Sequence, residues 1–478
     1  MEQYKRFIRF CTSASLLALE ALIYWYFWKN YFSVAAGTPF YRRGDWLMLA
    51  VYAILLMFFS KMYGGFRVGY FQKGNILFSQ ILTVLMVNII SYLQTALLAK
   101  HFPGPQYFLV MSVLDAVVII LWTFIADAWF QRMFPPRKML LIYGNRPSLI
   151  LMDKMNERKD RYEIVKTVHV DAGIDRLTAM CDGYDAVIIC DVPSETRNNL
   201  LKYCFARSIR AYMTPKLSDI LIRSAEEIHL FDTPLLLARN SEISIEQLAI
   251  KRIIDILLSL LGIVVLSPVM LVAAVAIKCC DAGPVMFRQE RLTIGGRPYM
   301  IFKFRSMIVD AEKDGIPRMT TEHDSRITPV GAWLRKLRID EIPQLFNILL
   351  GDMSVVGPRP ERPEIFDFYS KNMPEFDYRL KVKAGLTGYA QVYGKYNTTP
   401  YDKLKMDLNY IQNYSLRLDM KLILLTFKVL FMKDSSQGIA QGETTAPITP
   451  PTRSERKKDE GAARWEMPPM KWRGKAGK

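Results

Sequence analysis

Long apolar runs crowd the first 130 residues of the chain and then give way to alternating strand-like and helix-like patterns. Four segments, Phe7–Trp28, Trp46–Tyr63, Ile76–Ala99 and Tyr107–Phe130, are each close to the ~20 residues that cross a bilayer as a helix. Trp25, Trp28, Trp46, Trp122 and Trp129 fall near segment ends, where an interfacial aromatic belt would sit. The basic start of the first segment is like that of a signal peptide, but three further spans follow, so it reads as a retained anchor. Lys5, Arg6, Arg9, Lys61, Arg67, Lys73, Arg132, Arg137 and Lys138 lie on one side of such a bundle, and Lys29, Arg42, Arg43 and Lys100 on the other. That excess places both ends of the bundle in the cytoplasm. Glu20, Asp115 and Asp127 fall within or near spans and read first as helix contacts or interfacial positions.

From about residue 137 to 245 the pattern changes to a soluble α/β domain. Lys138–Tyr143, Glu163–Val170, Asp185–Cys190 and Ile209–Met213 read as strands, separated by helical stretches such as Glu195–Arg207. This alternation predicts a parallel sheet. The turn after the first strand, Gly144-Asn145-Arg146-Pro147-Ser148, has one glycine and a proline in place of GxGxxG. Close approach of a pyrophosphate is therefore hard, and a non-binding or regulatory domain is expected. Ile253–Ile277 is a fifth apolar run with basic flanks at Lys251, Arg252 and Lys278. Ser267-Pro268 stands in its middle, and an interior proline costs about 3 kcal/mol and bends or breaks a helix. A crossing here would carry everything downstream to the other side. The basic flanks favour instead a broken, re-entrant helix that enters and leaves on the cytosolic face.

Residues 279–434 then predict a compact domain on the membrane surface. Val285–Leu292 and Tyr299–Phe304 read as a hairpin around Gly295-Gly296. Helices are expected over Ala332–Arg338, Pro343–Leu350, Pro363–Tyr369 and Leu404–Tyr414, with an amphipathic stretch at Lys421–Phe431. The tail beyond Asp434, rich in Pro, Thr, Lys and Arg, reads as disordered.

The net charge of +17 suits a nucleic acid, an anionic membrane or a polyanionic substrate. The apolar segments select the membrane, and no basic stripe interleaved with aromatics marks a nucleic-acid module. Six cysteines without a CxxC imply reduced thiols and a cytosolic face. Four scattered histidines argue against zinc, so any metal should be oxygen-bound, which favours magnesium.

The chemistry concentrates in LRKLRIDEIPQLFNILLGDMSVVGPRPERPE, Leu334–Glu364. Asp340 and Glu341 precede a short helix that Pro343 can begin, and Arg335, Arg338, Arg359 and Arg362 flank them. The dipole end of a helix favours an ionised carboxylate and a bound phosphate. Adjacent residues point in different directions, so one carboxylate can face phosphorus while the other holds a metal. A carboxylate approaching a diphosphate meets a repulsion of about 4 kcal/mol per charge pair at ~4 Å in an effective dielectric near 20. Magnesium held by Glu341 and arginines gripping phosphate oxygens would cancel it. Candidates for the grip are Lys303, Arg305, Arg335, Arg359 between the stiffening prolines Pro358 and Pro360, and Lys395.

Residues ~250–434 resemble the monotopic phosphoglycosyl transferases, the polyprenyl-phosphate sugar-1-phosphate transferases. The matching strings are Lys251-Arg252-Ile-Ile-Asp255, Ser267-Pro268, PVMFRQERLTIGGRPYMIFKFRSM, the Leu334–Glu364 run and AGLTGYAQVYGK. The four spans and degenerate α/β domain resemble the large bacterial form of the family, used in exopolysaccharide and O-antigen priming. The resemblance implies a mixed membrane protein: four transmembrane helices (1–134), a Rossmann-like α/β domain (135–248), an α/β catalytic domain (249–434) with a re-entrant helix at 253–277, and a basic tail (435–478). It implies that Asp340 attacks the β-phosphate of a UDP-sugar, releasing UMP, and that polyprenyl phosphate then takes the sugar phosphate from the enzyme. By the same resemblance Asp340 and Glu341 are the catalytic and magnesium-binding pair, and Arg359 belongs to the UMP site. Lys303, Arg305, Arg335, Pro358, Pro360, Lys395 and Asp407 complete the substrate-binding set, and Ser267-Pro268 bends the helix. Lys395 stands where the family often has Arg, and Tyr389 where Trp is common. The implied setting is the bacterial inner membrane with a cytosolic catalytic domain. The implied partners are the UDP-sugar, polyprenyl phosphate, membrane lipid and a second copy of the chain as a homodimer. Two other classes compete. A membrane-bound NAD-dependent nucleotide-sugar dehydratase needs GxGxxG and a helical YxxxK, whereas Tyr299 and Lys303 lie in a predicted strand. A non-catalytic membrane scaffold has no use for the Asp340–Glu341 cluster.

Overall fold

The computed structural model describes residues 4–36, 44–144, 149–238, 243–280, 283–309, 311, 324–394 and 398–430. Lys395, the 145–148 part of the Gly144 turn and the expected tail lie outside them. The chain divides into two compact units, Met1–Thr214 and Pro215–Lys478, so residues 215–248 fall with the second unit and not with the α/β domain before it.

Four long apolar helices begin the first unit: α1 (Lys5–Phe27, continuing through a π turn at Trp28–Phe32), α2 (Gly44–Tyr63), α3 (Lys73–Ala99) and α4 (Gln106–Met133). Each is long and apolar enough to cross a membrane, as is one helix of the second unit. Neighbours in the ring are α1–α2, α2–α3, α3–α4 and α4–α1. The ends can be told apart. Lys5 Nζ lies over the rings of Phe130 and Phe134, 5.4 and 4.6 Å from their centroids, so the start of α1 meets the end of α4. Arg158, in the α/β layer that follows, donates to the carbonyl of Tyr70 between α2 and α3 (2.8 Å). At the other end Tyr31 stacks on Tyr107 (4.2 Å), and Lys29 pairs with Asp45. Such a ring runs up, down, up and down.

The α/β layer has four parallel strands, β1 (Arg137–Tyr143), β2 (Tyr162–His169), β3 (Ala186–Cys190) and β4 (Arg210–Met213), in the order β2-β1-β3-β4. The apolar runs of β1 and β3 are buried on both faces, as central parallel strands must be, while β2 and β4 show mixed exposure at the edges. Helices α5 (Leu149–Asn156), α6 (Ile174–Cys181) and α7 (Ser194–Ala206) connect them. The glycine of the first turn serves packing. Gly144 N donates to Cys190 O (3.0 Å), and a Cβ at 144 would come within 2.4 Å of Asp191 O.

The second unit opens with α8 (Leu217–Arg223) and a hairpin of β5 (Glu226–Leu230) and β6 (Thr233–Leu237) that the sequence pattern does not announce. Helix α9 then runs from Ile245 to Cys280 with Pro268 inside it. Ser267 and Pro268, where the bend is expected, lie within this helix. The missing N–H of Pro268 leaves the carbonyl four residues back, Val264 O, without its helical donor. Ser267 Oγ supplies one at 2.8 Å.

One stripe of α9 packs on its own unit along nearly its whole length. Lys251, Asp255 and Ser259 are buried near its start, Gly262 meets Leu345, and Ala273 and Ile277 are buried against Phe304 and Leu334 near its end. Polar bonds fasten the first turns. Lys251 Nζ donates to Asp419 Oδ2 (2.6 Å) and Val356 O (3.0 Å), and Asp255 Oδ1 accepts from Val355 N (2.9 Å) and Ser354 Oγ (3.1 Å). The other faces present Leu257, Leu260, Leu261, Val264, Val265, Leu271, Val272 and Val275, each more than half exposed.

Strands β7 (Met286–Leu292) and β8 (Pro298–Phe304) form the expected antiparallel hairpin, its turn passing through Gly295 and Gly296 at positive φ. Helices α10 (Pro329–Lys336) and α11 (Gln344–Leu350) follow, then β9 (Met353–Val356), α12 (Pro363–Asn372), β10 (Ala384–Thr387) parallel to β9, α13 (Tyr389–Tyr393), α14 (Pro400–Gln412) and α15 (Leu416–Leu430). The core of this unit gathers Ile348, Met353, Val356, Phe376, Leu404, Leu408, Tyr410 and Leu422.

Candidate active site

The carboxylate pair sits on a bend. Helix α10 ends at Lys336; two residues on, Arg338 takes a left-handed conformation (φ 53°), and a 3-10 turn over Ile339–Glu341 leads into Pro343 and α11. That conformation costs a non-glycine residue about 1–2 kcal/mol, so the surroundings must hold it. Asn347 does part of this. Its Oδ1 accepts from Phe302 N (2.9 Å) and its Nδ2 donates to Met300 O (2.8 Å), tying α11 to β8. The arrangement brings Lys303 of β8 beside the pair.

Glu341 is the centre of the charge cluster. Its Oε1 lies 3.0 Å from Arg359 Nη2 and 3.3 Å from Lys303 Nζ, and its Oε2 lies 3.7 Å from Arg338 Nη1. Burial alone would raise its pKa, but Arg359, Lys303 and Arg338 outweigh burial and hold the carboxyl well below the usual carboxylate range. Burial in turn pulls the Lys303 ammonium down, against the attraction of Glu341. Asp340, one residue away and 9% exposed, has no hydrogen-bond or ion-pair partner among the described residues. Burial, then the charge of Glu341, push its carboxyl up to about 6 despite Lys303, Arg335 and Arg359. The pair has therefore divided: one carboxylate is locked in ion pairs, and the other is open.

Arg359 keeps 47% of its side chain exposed while bonded to Glu341, so it can still meet an anion from solvent. Its backbone is pinned at three consecutive carbonyls. Pro358 O accepts from Gly385 N (2.9 Å), Arg359 O from Arg379 Nη2 (3.0 Å) and Pro360 O from Arg291 Nη1 (3.1 Å). Burial lowers Arg291 to about 10, still a cation at neutral pH. Arg379 is itself fixed by Asp407, Nε to Oδ2 at 2.7 Å, with both side chains almost fully buried. Asp407, expected at the substrate, thus stands behind the Pro358-Arg359-Pro360 strip and orients it through Arg379. Arg335 lies near enough to act on Asp340 electrostatically. Arg305 is buried, its guanidinium filling the space that a side chain at Gly283 would need. Ser267 and Pro268 belong to α9, and Lys395 lies outside the described residues. Arg291 and Arg379 were missed from sequence, since each acts on a backbone carbonyl remote in the chain and leaves no local motif.

No group of three or more His, Cys, Asp and Glu side chains clusters among the described residues, so they build no closed protein cage for a metal. Magnesium, however, commonly takes only one or two carboxylates and completes its shell with water and substrate phosphate. The adjacent oxygen donors of Asp340 and Glu341 fit that demand.

Fold and site define a class: a chain with membrane-length apolar helices whose second unit carries one open carboxylate inside a ring of cations, a setting built to receive an anion. The family described as bacterial sugar transferase matches residues 246–433. UDP-N-acetylgalactosamine-undecaprenyl-phosphate N-acetylgalactosaminephosphotransferase of Aeromonas hydrophila is 38% identical over 254 residues, 52% of this chain and 59% of that protein. Undecaprenyl-phosphate glucose phosphotransferase of Komagataeibacter xylinus is 34% identical over 314 residues, covering 61% of this chain and 58% of the relative. UDP-glucose:undecaprenyl-phosphate glucose-1-phosphate transferase of Caulobacter vibrioides is 40% identical over 192 residues, 39% of this chain and 71% of that protein. The chain thus spans little more than half the length of the first two curated relatives. It belongs to the bacterial sugar transferase family.

The Arg379–Asp407 pair generates a prediction. Asp407→Ala removes the nearer carboxylate from the buried Arg379 guanidinium and leaves it only the longer ion pair with Glu361 (3.6 Å); breaking a buried pair typically costs about 3–5 kcal/mol. Denaturant unfolding of the detergent-solubilised chain should show a loss of about that size, with Asp407→Asn losing less. An Ala variant as stable as the parent would contradict the assignment.

Proposed function

We propose that this protein transfers a sugar 1-phosphate from a UDP-sugar to polyprenyl phosphate through Asp340. The observation that carries the reading is the division of the carboxylate pair: Glu341 is held by three cations and Asp340 by none. An open carboxylate beside exposed cationic surface suits a nucleophile directed at phosphorus. An Asp340 oxygen attacks the β-phosphorus. The bond from that phosphorus to the bridging oxygen breaks, and its electron pair leaves with UMP. The acyl phosphate then meets the phosphate oxygen of the polyprenyl carrier. The carboxylate departs, giving a polyprenyl-diphosphate sugar and restoring Asp340. Arg359 and Lys303 offset the charge that gathers on the phosphate oxygens, while Glu341 keeps both cations in place and accepts no proton at neutral pH. Magnesium held by Asp340 or Glu341 would supply further neutralisation of the diphosphate charge. The relatives named above are described as acting on UDP-N-acetylgalactosamine and UDP-glucose, and their names support the donor and carrier classes assigned to this chain.

The same reading places α1–α4 in the bacterial inner membrane as a four-helix bundle. The first α/β layer is a degenerate Rossmann-like fold, and the second unit lies on the cytosolic side. The meeting of Lys5, the Tyr70 loop and Arg158 at one end of the helices supports this, since that end carries the basic excess. Helix α9 reads as re-entrant or lying in the membrane surface, not as a fifth crossing. A crossing would send its two ends to opposite faces, yet Lys251 and Ile277 both pack on the same unit. Its outward apolar faces suit lipid.

Three outcomes follow. UDP-sugars offered with undecaprenyl phosphate should yield UMP with at least one sugar, and Asp340→Asn should abolish release; near-normal release by that variant would remove Asp340 from the role. A raised carboxyl keeps its proton up to about pH 6, so the reactive carboxylate is depleted below that point. The kcat/KM of the reaction should fall as pH drops through about 6, and a profile level down to about pH 4, the ordinary aspartate range, would contradict the burial argument. Finally, in inverted vesicles of a chain freed of its other cysteines, Cys280 and an Ile245→Cys substitution should react with an impermeant thiol reagent from the same face. Reaction from opposite faces would make α9 a crossing.

A further inference from the structure

The four helices of the first unit each bring one polar side chain to a common buried level. Glu20 comes from α1, Tyr52 from α2, Asn88 from α3 and Asp115 from α4, and none is more than 4% exposed. Tyr52 OH donates to Asn88 Oδ1 (2.9 Å), and Asn88 Nδ2 donates to Asp115 Oδ2 (3.1 Å) and to Ser112 Oγ (2.9 Å). The chain of donors stops there. Asp115 Oδ1 and Glu20 Oε1 are both buried without a hydrogen-bond partner. The two acids are close enough for a charge on one to repel a charge on the other, and Tyr52 lies within the field of both.

No cation on these helices is placed to neutralise them. Lysine and arginine occur in α1 only at Lys5, Arg6 and Arg9, in α2 at Lys61, in α3 at Lys73 and in α4 at Arg132, all toward helix ends, and no histidine lies in the four. The titratable groups facing the acids are each other, Tyr52 of α2 and Tyr24 of α1, which stacks on Tyr52 at 3.9 Å; α3 contributes only the neutral Asn88. Two ionised carboxylates in such a place lack both solvent and counter-ion, a state that hydrocarbon surroundings do not tolerate. A carboxyl that takes a proton turns from acceptor to donor, and two carboxyls sharing a site keep one proton in common for that reason.

We propose that Glu20 and Asp115 form a proton-binding site inside the bundle, with at least one of the two buried carboxyls protonated at neutral pH. The ligand is a proton and not a metal cation, because no third His, Cys, Asp or Glu joins the two acids among the described residues, whereas a metal ion needs a wider shell. The inference rests on the bundle lying in lipid and is independent of the transferase chemistry in the second unit. Its consequence is that the helices meet around a neutral hydrogen-bonded centre whose charge state follows pH.

The test is pH-difference infrared spectroscopy of the full chain in zwitterionic lipid nanodiscs. A protonated-carboxyl band should persist above about pH 7, far beyond the ordinary ~4 of Glu and Asp, should vanish in Glu20→Gln and should return in Glu20→Asp. In Asp115→Asn the remaining Glu20 should give up its proton at least about one pH unit lower, a tenfold weaker proton affinity, because it no longer has an ionised neighbour. A band that disappears by pH 7 in the parent chain, or that survives in Glu20→Gln, overturns the site. Loss of the parent band on exchanging choline for sodium makes a metal cation the ligand and also overturns it. A chain that stays soluble without lipid fails earlier, at the membrane reading itself.

Discussion

Three cations converge on Glu341, and the rest of the second unit is arranged around keeping them there. A carboxylate buried at this depth is costly unless it is paired and hydrogen-bonded, and Arg359, Lys303 and Arg338 meet that need from three separate segments. The consequence reaches its neighbour. Because Glu341 holds the cations, Asp340 forms no ion pair with them among the described residues and keeps its oxygens uncommitted. A cluster in which both acids were ion-paired would be stable and inert. One in which neither was paired would repel any phosphate.

The second constraint is mechanical. Arg359 serves Glu341 only if its backbone is held, and the Pro358-Arg359-Pro360 strip is bonded carbonyl by carbonyl to Gly385, Arg379 and Arg291. Asn347 does the equivalent for Lys303 by tying α11 to β8. Helix α9 joins the same frame through Lys251, Arg252 and Asp255, with Arg252 donating to Ile348 O and Leu349 O at the end of α11. The helix read as touching the membrane is thus bonded to the element that follows the carboxylates, which fixes how far the site stands from the lipid face of α9.

Much of this could be read from sequence because it depends on local pattern. The continuous apolar runs of β1 and β3, the hairpin about Gly295-Gly296 and the four membrane-length segments fall where periodicity puts them, within a few residues at their ends. The Asp340–Glu341 pair stood out through its flanking arginines. What escaped depends on partners far apart in the chain. Asp407 reads as a substrate ligand until Arg379 is found against it, and Lys251 reads as a membrane flank until Asp419 is found 168 positions on. The β5–β6 hairpin was missed because its second strand contains Pro234, which argues against a strand unless that strand is an edge. Ser267-Pro268 reads as a break because an interior proline costs helix stability; the hydroxyl that replaces the lost donor is visible only in three dimensions.

The central claim is that Asp340, left unpaired by the Glu341 cluster, becomes the point of covalent attachment. Mass spectrometry of the chain incubated with its UDP-sugar donor, in the absence of polyprenyl phosphate, tests it most directly. A sugar-phosphate adduct should appear on the peptide carrying Asp340, formed with stoichiometric UMP and discharged when the lipid acceptor is added. UMP release that requires the acceptor from the outset, with the Asp340 peptide unmodified, would contradict it.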